Sequence, residues 1–203
     1  TAWLAETAQQ TGLPSAIVAF CDLTDDRREA MLDAHQTFAN VRGIRQIVGR
    51  HPSEDAKLNT AALLFDPRFH SGLESLAARG LSFDLQVTSA MLDRAAALFA
   101  SIPSLPVALC HIGSPWDRTP EGLAFWRTGL KRFAALPRSV CKLSGFGMFE
   151  PGWTRDSIAA LVETVLDTFG PERTMLGSNF PVEKLARGYG ATLETVWSLV
   201  PGE

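Results

Sequence analysis

Apolar residues in this chain fall into short dense runs, separated by longer stretches in which they recur every three or four positions. The dense runs read as strands and the wider spacing reads as amphipathic helix. Six strands are expected on this basis: Ser15 to Cys21, Val41 to Val48, Leu81 to Val87, Leu105 to His111, Ser139 to Leu143 and Arg173 to Gly177. Helix starts are placed at Thr24 before "DDRREAMLDAHQTF", at Ser89 before "AMLDRAAALFA" and at Thr154 before "RDSIAALVETVLDTF", which stops at Gly170. A hydroxyl at such a boundary accepts from the free amides of the first turn, and glycine suits the exit. Residues 49–67, "GRHPSEDAKLNTAALLFDP", are expected to form one long irregular segment of the kind that is often functional.

Strands that alternate with helices and are near-continuously apolar imply a parallel sheet covered by helices. Parity then favours a barrel over an open doubly wound sheet. In "SVCKLSG", Cys141 and Leu143 share one face while Val140, Lys142 and Ser144 share the other. In "SFDLQV" the same division sets Phe83, Leu85 and Val87 against Ser82, Asp84 and Gln86. Polar residues on one parity of separate strands suit a barrel whose upper interior is an active site. Lys142 and Asp84 are both interior by this reading. Since a lone buried charge is costly, they are expected to lie close together, as a structural pair first.

The chain holds 203 residues, 46% apolar and 20% charged, with a formal charge of -3 from 19 basic and 22 acidic side chains. That balance offers no broad attraction for nucleic acid or an anionic membrane, so neither is an expected partner. No apolar run reaches the length needed to span a bilayer. Cys21, Cys110 and Cys141 are odd in number, far apart and set in apolar runs, which argues against a disulfide framework or a thiolate zinc site. A reducing, cytoplasmic setting is expected. No glycine-rich phosphate loop follows any strand.

The segments "VRGIRQIVGRHP", "DPRFHSGLESLAARGLSFDLQV", "VALCHIGSP", "KLSGFGMF" and "FGPERTMLGSNFPVEKL" run in one order from residue 41 to 185. Together they resemble the amidohydrolase-2 family of the amidohydrolase superfamily, the (β/α)8-barrel branch that includes L-fuconolactonase and 2-pyrone-4,6-dicarboxylate lactonase. The resemblance implies a TIM-type barrel of which this chain is an incomplete portion of about six βα units. Residues 1–203 are then expected to be a single barrel domain truncated at both ends, lacking the family's first two strands and their His-x-His pair. Two raw sheet edges would follow, and with them association with a second copy, as a homo-oligomer, or with another chain.

The same resemblance implies a hydrolase that opens a lactone or related cyclic ester of a carboxylated or sugar-derived small molecule. A decarboxylase or hydratase on the same barrel, or a non-catalytic relative that binds a small molecule, is the alternative. No cofactor is expected to be required, the alternative being one divalent metal such as zinc. His111, at the end of a strand and on the parity of Val107 and Leu109, is the expected catalytic histidine; it polarises the lactone carbonyl or, if a metal is present, ligates it. Asn179 stands where the superfamily places an aspartate, and an amide has no basic lone pair near neutral pH. Three accounts follow: Asn179 orients water or carbonyl with Glu183 as base, a group outside the chain is the base, or nothing is hydrolysed. The first is preferred; a solvated carboxylate is the alternative for Glu183.

Arg45 and His51 are candidates for the barrel mouth, where a guanidinium suits an anionic substrate. Arg50 and Lys57 are read as solvated. Gln86, Ser144, Phe146 and Met148 are expected to contact substrate, with Phe149 as further wall and Gly145 and Gly147 permitting the turn. Trp116 and Trp153 are candidates for a lid or for ordinary packing. His35 and His70 are read as surface or capping histidines. His111, Ser144 and Asn179 are expected on one rim of the sheet.

Overall fold

A computed structural model describes residues 1–200. Residues 201–203 of the expected barrel span lie outside that description. Six parallel strands form one sheet in sequence order: β1 Ile17–Phe20, β2 Val41–Ile47, β3 Ser82–Gln86, β4 Val107–Leu109, β5 Ser139–Leu143 and β6 Thr174–Leu176. Each expected strand is present at its place, a residue or two shorter at most ends. The helices are α1 Ala2–Thr11, α2 Arg28–Gln36, α3 Pro52–Leu58, α4 Pro67–Ala78, α5 Leu92–Ala100, α6 Pro120–Ala134, the single turn α7 Phe146–Phe149, α8 Arg155–Phe169 and α9 Tyr189–Trp197. Parallel strand–helix–strand units repeated in sequence order build an arc of a (β/α)8 barrel rather than a doubly wound sheet, in keeping with the parity.

The core lies between sheet and helices. Phe83, Leu85, Val107, Leu109, Cys141 and Leu143 are fully or almost fully buried there against Phe69, Leu73, Phe99, Trp126, Phe133 and Val165. The concave side of the sheet carries the other parity. Register pairs Phe20 with Arg45, Arg45 with Asp84, Asp84 with Ala108 and Lys142 with Met175, so these side chains share that inner face. Val18, Phe20 and Met175 on it are exposed. Lys142 Nζ and Asp84 form the expected ion pair, meeting across β4 where the small Ala108 leaves room. On the outer parity, Gln46 is buried but satisfied, accepting from the Leu23 amide and donating to Asp22.

Two expected caps are not made. Helix α2 begins only at Arg28, and Thr24 instead donates to Asp22. Ser89 opens a 3₁₀ turn, Ser89–Met91, ahead of α5 and caps nothing. Thr154 does cap α8, in a reciprocal arrangement with Ser157, and Gly170 ends the helix at φ 75°. The segment 49–67 is not irregular: it holds α3 and a 3₁₀ stretch Thr60–Phe65. Pro52 at the first turn and Asn59 in the left-handed conformation at the exit supply the start and stop that periodicity missed. No helix among the described residues is long and apolar enough to cross a membrane.

Candidate active site

The C-terminal ends of β2 to β6 bring Arg45, Gln86, His111, Ser144 and the Asn179 turn to one rim. Arg45 and Gln86 lie on the inner face of neighbouring strands, and the Arg45 Nη2 group donates to Gln86 Oε1. Gln86 in turn donates to the Gly49 carbonyl at 3.4 Å. The same Arg45 nitrogen lies 3.2 Å from His111 Nε2, and His111 Nδ1 lies 2.9 Å from Ser144 Oγ. Arginine has no acceptor, so Nε2 accepts; Nδ1 then carries the ring proton and donates to Ser144. In this tautomer Nε2 is an acceptor, and the group able to polarise a carbonyl beside it is the Arg45 guanidinium.

His111 does not reach this position by strand parity. Val107 and Leu109 point into the helix-facing core, and β4 ends at Leu109. His111 and Ile112 take left-handed backbone conformations at φ 54° and 50°, followed by Gly113 at 73° and Ser114 at 45°. That reversal swings the imidazole onto the inner side, which the alternation of a continuing strand would not have done. Left-handed backbone at β-branched Ile112 costs about 1–3 kcal/mol and persists where surrounding packing imposes it. Here Ile112 is buried and its carbonyl accepts the Trp126 indole N–H at 2.7 Å. Gly145, at φ 74°, completes the seat: a Cβ there would come within 2.6–2.7 Å of the His111 ring.

His111 is 4% exposed, and its pKa is pushed down to about 3 by burial first and by the Arg45 and Lys142 charges next. It is therefore neutral at physiological pH. Its folded pKa lies below the unfolded value near 6.5, so the unfolded chain takes up the proton first as pH falls. The resulting stabilisation is complete above roughly pH 6.5 and is lost as pH falls toward 3, with a full amplitude of about 5 kcal/mol. In EDTA-treated protein, the urea midpoint should fall between pH 7.5 and 5, and His111→Asn should remove most of that slope. An unchanged slope in the variant would assign the pH dependence to other groups.

Asn179 sits two residues beyond Gly177, whose amide extends the β5–β6 pairing to the Leu143 carbonyl at 3.1 Å. Its backbone is left-handed at φ 53°, and its side-chain Nδ2 is buried without a hydrogen-bond partner among the described residues. Such an orphaned donor is unusual and marks a place where something else accepts. Glu183 is 1% exposed rather than solvated. Its Oε1 accepts from the Trp153 indole N–H at 2.7 Å and the Gly147 amide at 2.9 Å, while Oε2 is buried and unpartnered among the described residues.

The remaining candidates divide. Phe146 is buried against Trp153 and Phe149, and Met148 is half-buried beside it. Trp153 belongs to the core at 2% exposure and is no lid, whereas half-buried Trp116 stands at the rim. His51 is exposed; its ring caps α3 and meets Trp116 edge-on at 4.7 Å between centroids. His35 bridges Thr1 and the carbonyl of Phe20 on edge strand β1, and His70 contacts Ser101, both outside the rim. Lys57 is exposed, but Arg50 is not simply solvated: its Nε is buried without a partner among the described residues. A cleft of about 590 Å³ lies on the outer surface between α6 and α8, away from the strand ends.

A zinc-type site takes three or four side-chain donors. Among the described residues no group of three His, Cys, Asp or Glu is placed to hold a metal ion. The thiols of Cys21 and Cys110 are pushed up to about 11, chiefly by burial, and that of Cys141 further still, so none offers a thiolate. His111 is the one imidazole at the centre of the rim, with Arg45 against its Nε2. The described residues do not by themselves fit a complete metal site.

The Amidohydro_2 family model, described as amidohydrolase, matches residues 1–199. The uncharacterized protein y4mH of Sinorhizobium fredii is 37% identical over 193 residues, which cover 94% of this chain and 64% of that one. An L-fucono-1,5-lactonase of Burkholderia multivorans is 33% identical over 211 residues, covering 98% and 69%. The crystal structure of an amidohydrolase from Burkholderia multivorans with bound zinc superposes with a TM-score of 0.85 at 29% identity, covering 98% of this chain and 70% of that one. The chain thus spans about two thirds of the length of the curated relatives it matches. The zinc in that structure corrects the expectation that no metal is required, an expectation built on metal-independent members of the lactonase branch and on the missing His-x-His. With a family model matched over almost its whole length, and relatives above 30% identity along the same residues, this chain belongs to the amidohydrolase family.

Proposed function

We propose that the protein is a lactone hydrolase, opening the cyclic ester of a sugar-derived or carboxylated small molecule. The observation that carries the reading is the contact between the Arg45 guanidinium and a neutral, buried His111 at the strand ends, with the unpartnered Asn179 amide on the same rim. The name of the 33% identical Burkholderia relative supports the choice of ester. Water attacks the lactone carbonyl and gives its proton to Glu183 Oε2. Negative charge on the carbonyl oxygen is met by Arg45, held by Gln86, and by the buried Asn179 Nδ2, donors in place before reaction. Collapse breaks the ring C–O bond, Glu183 returns the proton to the departing alkoxide, and a hydroxy acid leaves.

Release of acid from L-fucono-, L-rhamnono- and related lactones, followed at constant pH, tests the reading. Glu183→Gln keeps a side-chain oxygen for Trp153 and the Gly147 amide but removes the base. It should lower kcat by about 10²–10⁴-fold at near-unchanged thermal stability. A full rate in that variant would leave Glu183 as a strut for α7 only. The presence of Asn179 in place of a carboxylate favours one second reading, a non-catalytic barrel that binds a small molecule; it predicts lactone binding with no acid release. Three buried, protonated thiols support a cytoplasmic setting.

A further inference from the structure

The hydrogen bonds that meet at His111 run in one direction. Gln86 donates to the Gly49 carbonyl, and its Oε1 accepts from Arg45 Nη2. Arg45 has no lone pair to offer, so His111 Nε2, 3.2 Å away, is the acceptor and Nδ1 holds the ring proton. Nδ1 donates to Ser144 Oγ at 2.9 Å, which occupies one lone pair of the hydroxyl. The hydroxyl hydrogen then points away from the ring, and among the described residues nothing accepts from it. Ser144 is 3% exposed, and a buried donor left over in this way marks a place where another group accepts. Ser144 follows β5 on the inner parity of Lys142. Gly177, at the end of β6, lies alongside: a Cβ there would come within 3.2 Å of the Ser144 Cβ and 3.5 Å of its Oγ, so bare backbone keeps the space beside the hydroxyl open.

A serine this close to an imidazole resembles the nucleophile and base of a serine hydrolase. That role needs an unprotonated nitrogen facing the hydroxyl, and here the Arg45 contact leaves the proton on that nitrogen. We infer that Ser144 is a specificity residue instead, donating its O–H to a hydroxyl oxygen on the ring of the bound lactone, outside the ester group. The inference rests on the lactone-hydrolase reading, in which Arg45 and Asn179 already meet the carbonyl oxygen and leave the Ser144 donor for another. With one hydrogen and one free lone pair, Ser144 matches a neutral hydroxyl, which also gives and accepts, better than a carboxylate, which only accepts. Arg45 acts here at a distance: it sets the tautomer, and the tautomer sets which way Ser144 donates.

Calorimetry of L-fuconate, the acid that L-fucono-1,5-lactone releases, and of its 2-, 3- and 4-deoxy forms tests this with no turnover involved. In the unaltered protein at least one deoxy form should bind about 5–10-fold more weakly than L-fuconate, the worth of one neutral hydrogen bond. In Ser144→Ala that position should cease to matter, the two acids binding within about 2-fold of each other. Ser144→Thr keeps the hydroxyl and should keep the difference. Ser144→Ala also strips His111 Nδ1–H of its acceptor, so the readout is the difference between ligands and not the overall affinity or the melting temperature. A fluorophosphonate probe, which labels activated serines, should leave Ser144 unmodified by mass spectrometry. A deoxy loss of the same size in the protein and in Ser144→Ala, or a probe adduct on Ser144, would overturn the inference; acid release from the lactone would leave the hydrolase reading standing. A Ser144-dependent loss without acid release from any lactone would do the reverse. Equal binding of all four acids, or binding of none, would overturn the inference.

Discussion

Arg45→Met should lower kcat/KM for lactone opening by about 10²–10³-fold, the loss typical of removing one preorganised oxyanion donor. The guanidinium is held from below by Gln86 and faces His111 Nε2, so it does not reorganise as charge develops. Met fills a similar volume without donors. The substitution also leaves Gln86 Oε1 and His111 Nε2 without their partner, which should cost about 1–3 kcal/mol of stability. Urea unfolding separates that cost from the catalytic one. Arg45→Lys should fall between, since an ammonium supplies charge but not a rigid fork of N–H groups. A Met variant retaining more than a tenth of the activity would remove Arg45 from the chemistry.

Lys142→Met should destabilise the fold by about 3–5 kcal/mol, because it strands the Asp84 carboxylate, whose side chain is 7% exposed, without a counter-charge. The double variant Asp84→Leu with Lys142→Met should recover most of that loss, since two well-packed apolar side chains replace a desolvated pair at little net cost. Denaturant midpoints of the two single variants and the double variant close the cycle. A cost under about 1 kcal/mol for Lys142→Met would mean that water reaches Asp84 and that the pair is effectively a surface one. The substitution carries a second readout. Lys142 helps depress the His111 pKa, so its removal should shift the pH dependence of stability toward less acid values.

Most of the architecture was legible beforehand because a half-buried parallel strand leaves a local signature. The division of "SVCKLSG" and "SFDLQV" into apolar and polar parities placed Lys142, Asp84 and Gln86 on the inner face and foretold the Lys142–Asp84 pair. Thr154 was legible as a cap because its partner, Ser157, is three residues away. Thr24 and Ser89 were misread for a related reason: each has another local option, an Asp22 acceptor or a 3₁₀ turn, that competes with the capping role. The segment 49–67 was misread because α3 is short and its side chains are almost all exposed, leaving no apolar period to detect.

The rim was legible only in outline. His111 was singled out by its place after an apolar run, yet the route by which it turns inward was not, since a reversal through consecutive left-handed residues has no period and only Gly113 hints at it. Arg50 was read as solvated, yet its Nε is buried without a partner among the described residues while the side chain as a whole stays one-third exposed, a division between atoms that no pattern records. For Glu183 the sequence left a solvated carboxylate beside Lys184 as the alternative to a base; the indole that buries it comes from Trp153, thirty residues away.

Hydrophobic period, parity and punctuation along the chain were enough to settle six strands, their order, the helix-covered side of the sheet and the residues on its concave side, because each depends on neighbours within a few positions. Tertiary structure alone decided which polar groups meet at the strand ends, which tautomer His111 adopts, and which donors at Arg50 and Asn179 are left without an acceptor. Those outcomes depend on desolvation and on distances between groups tens of residues apart, and only the closed packing of several loops on one rim sets them.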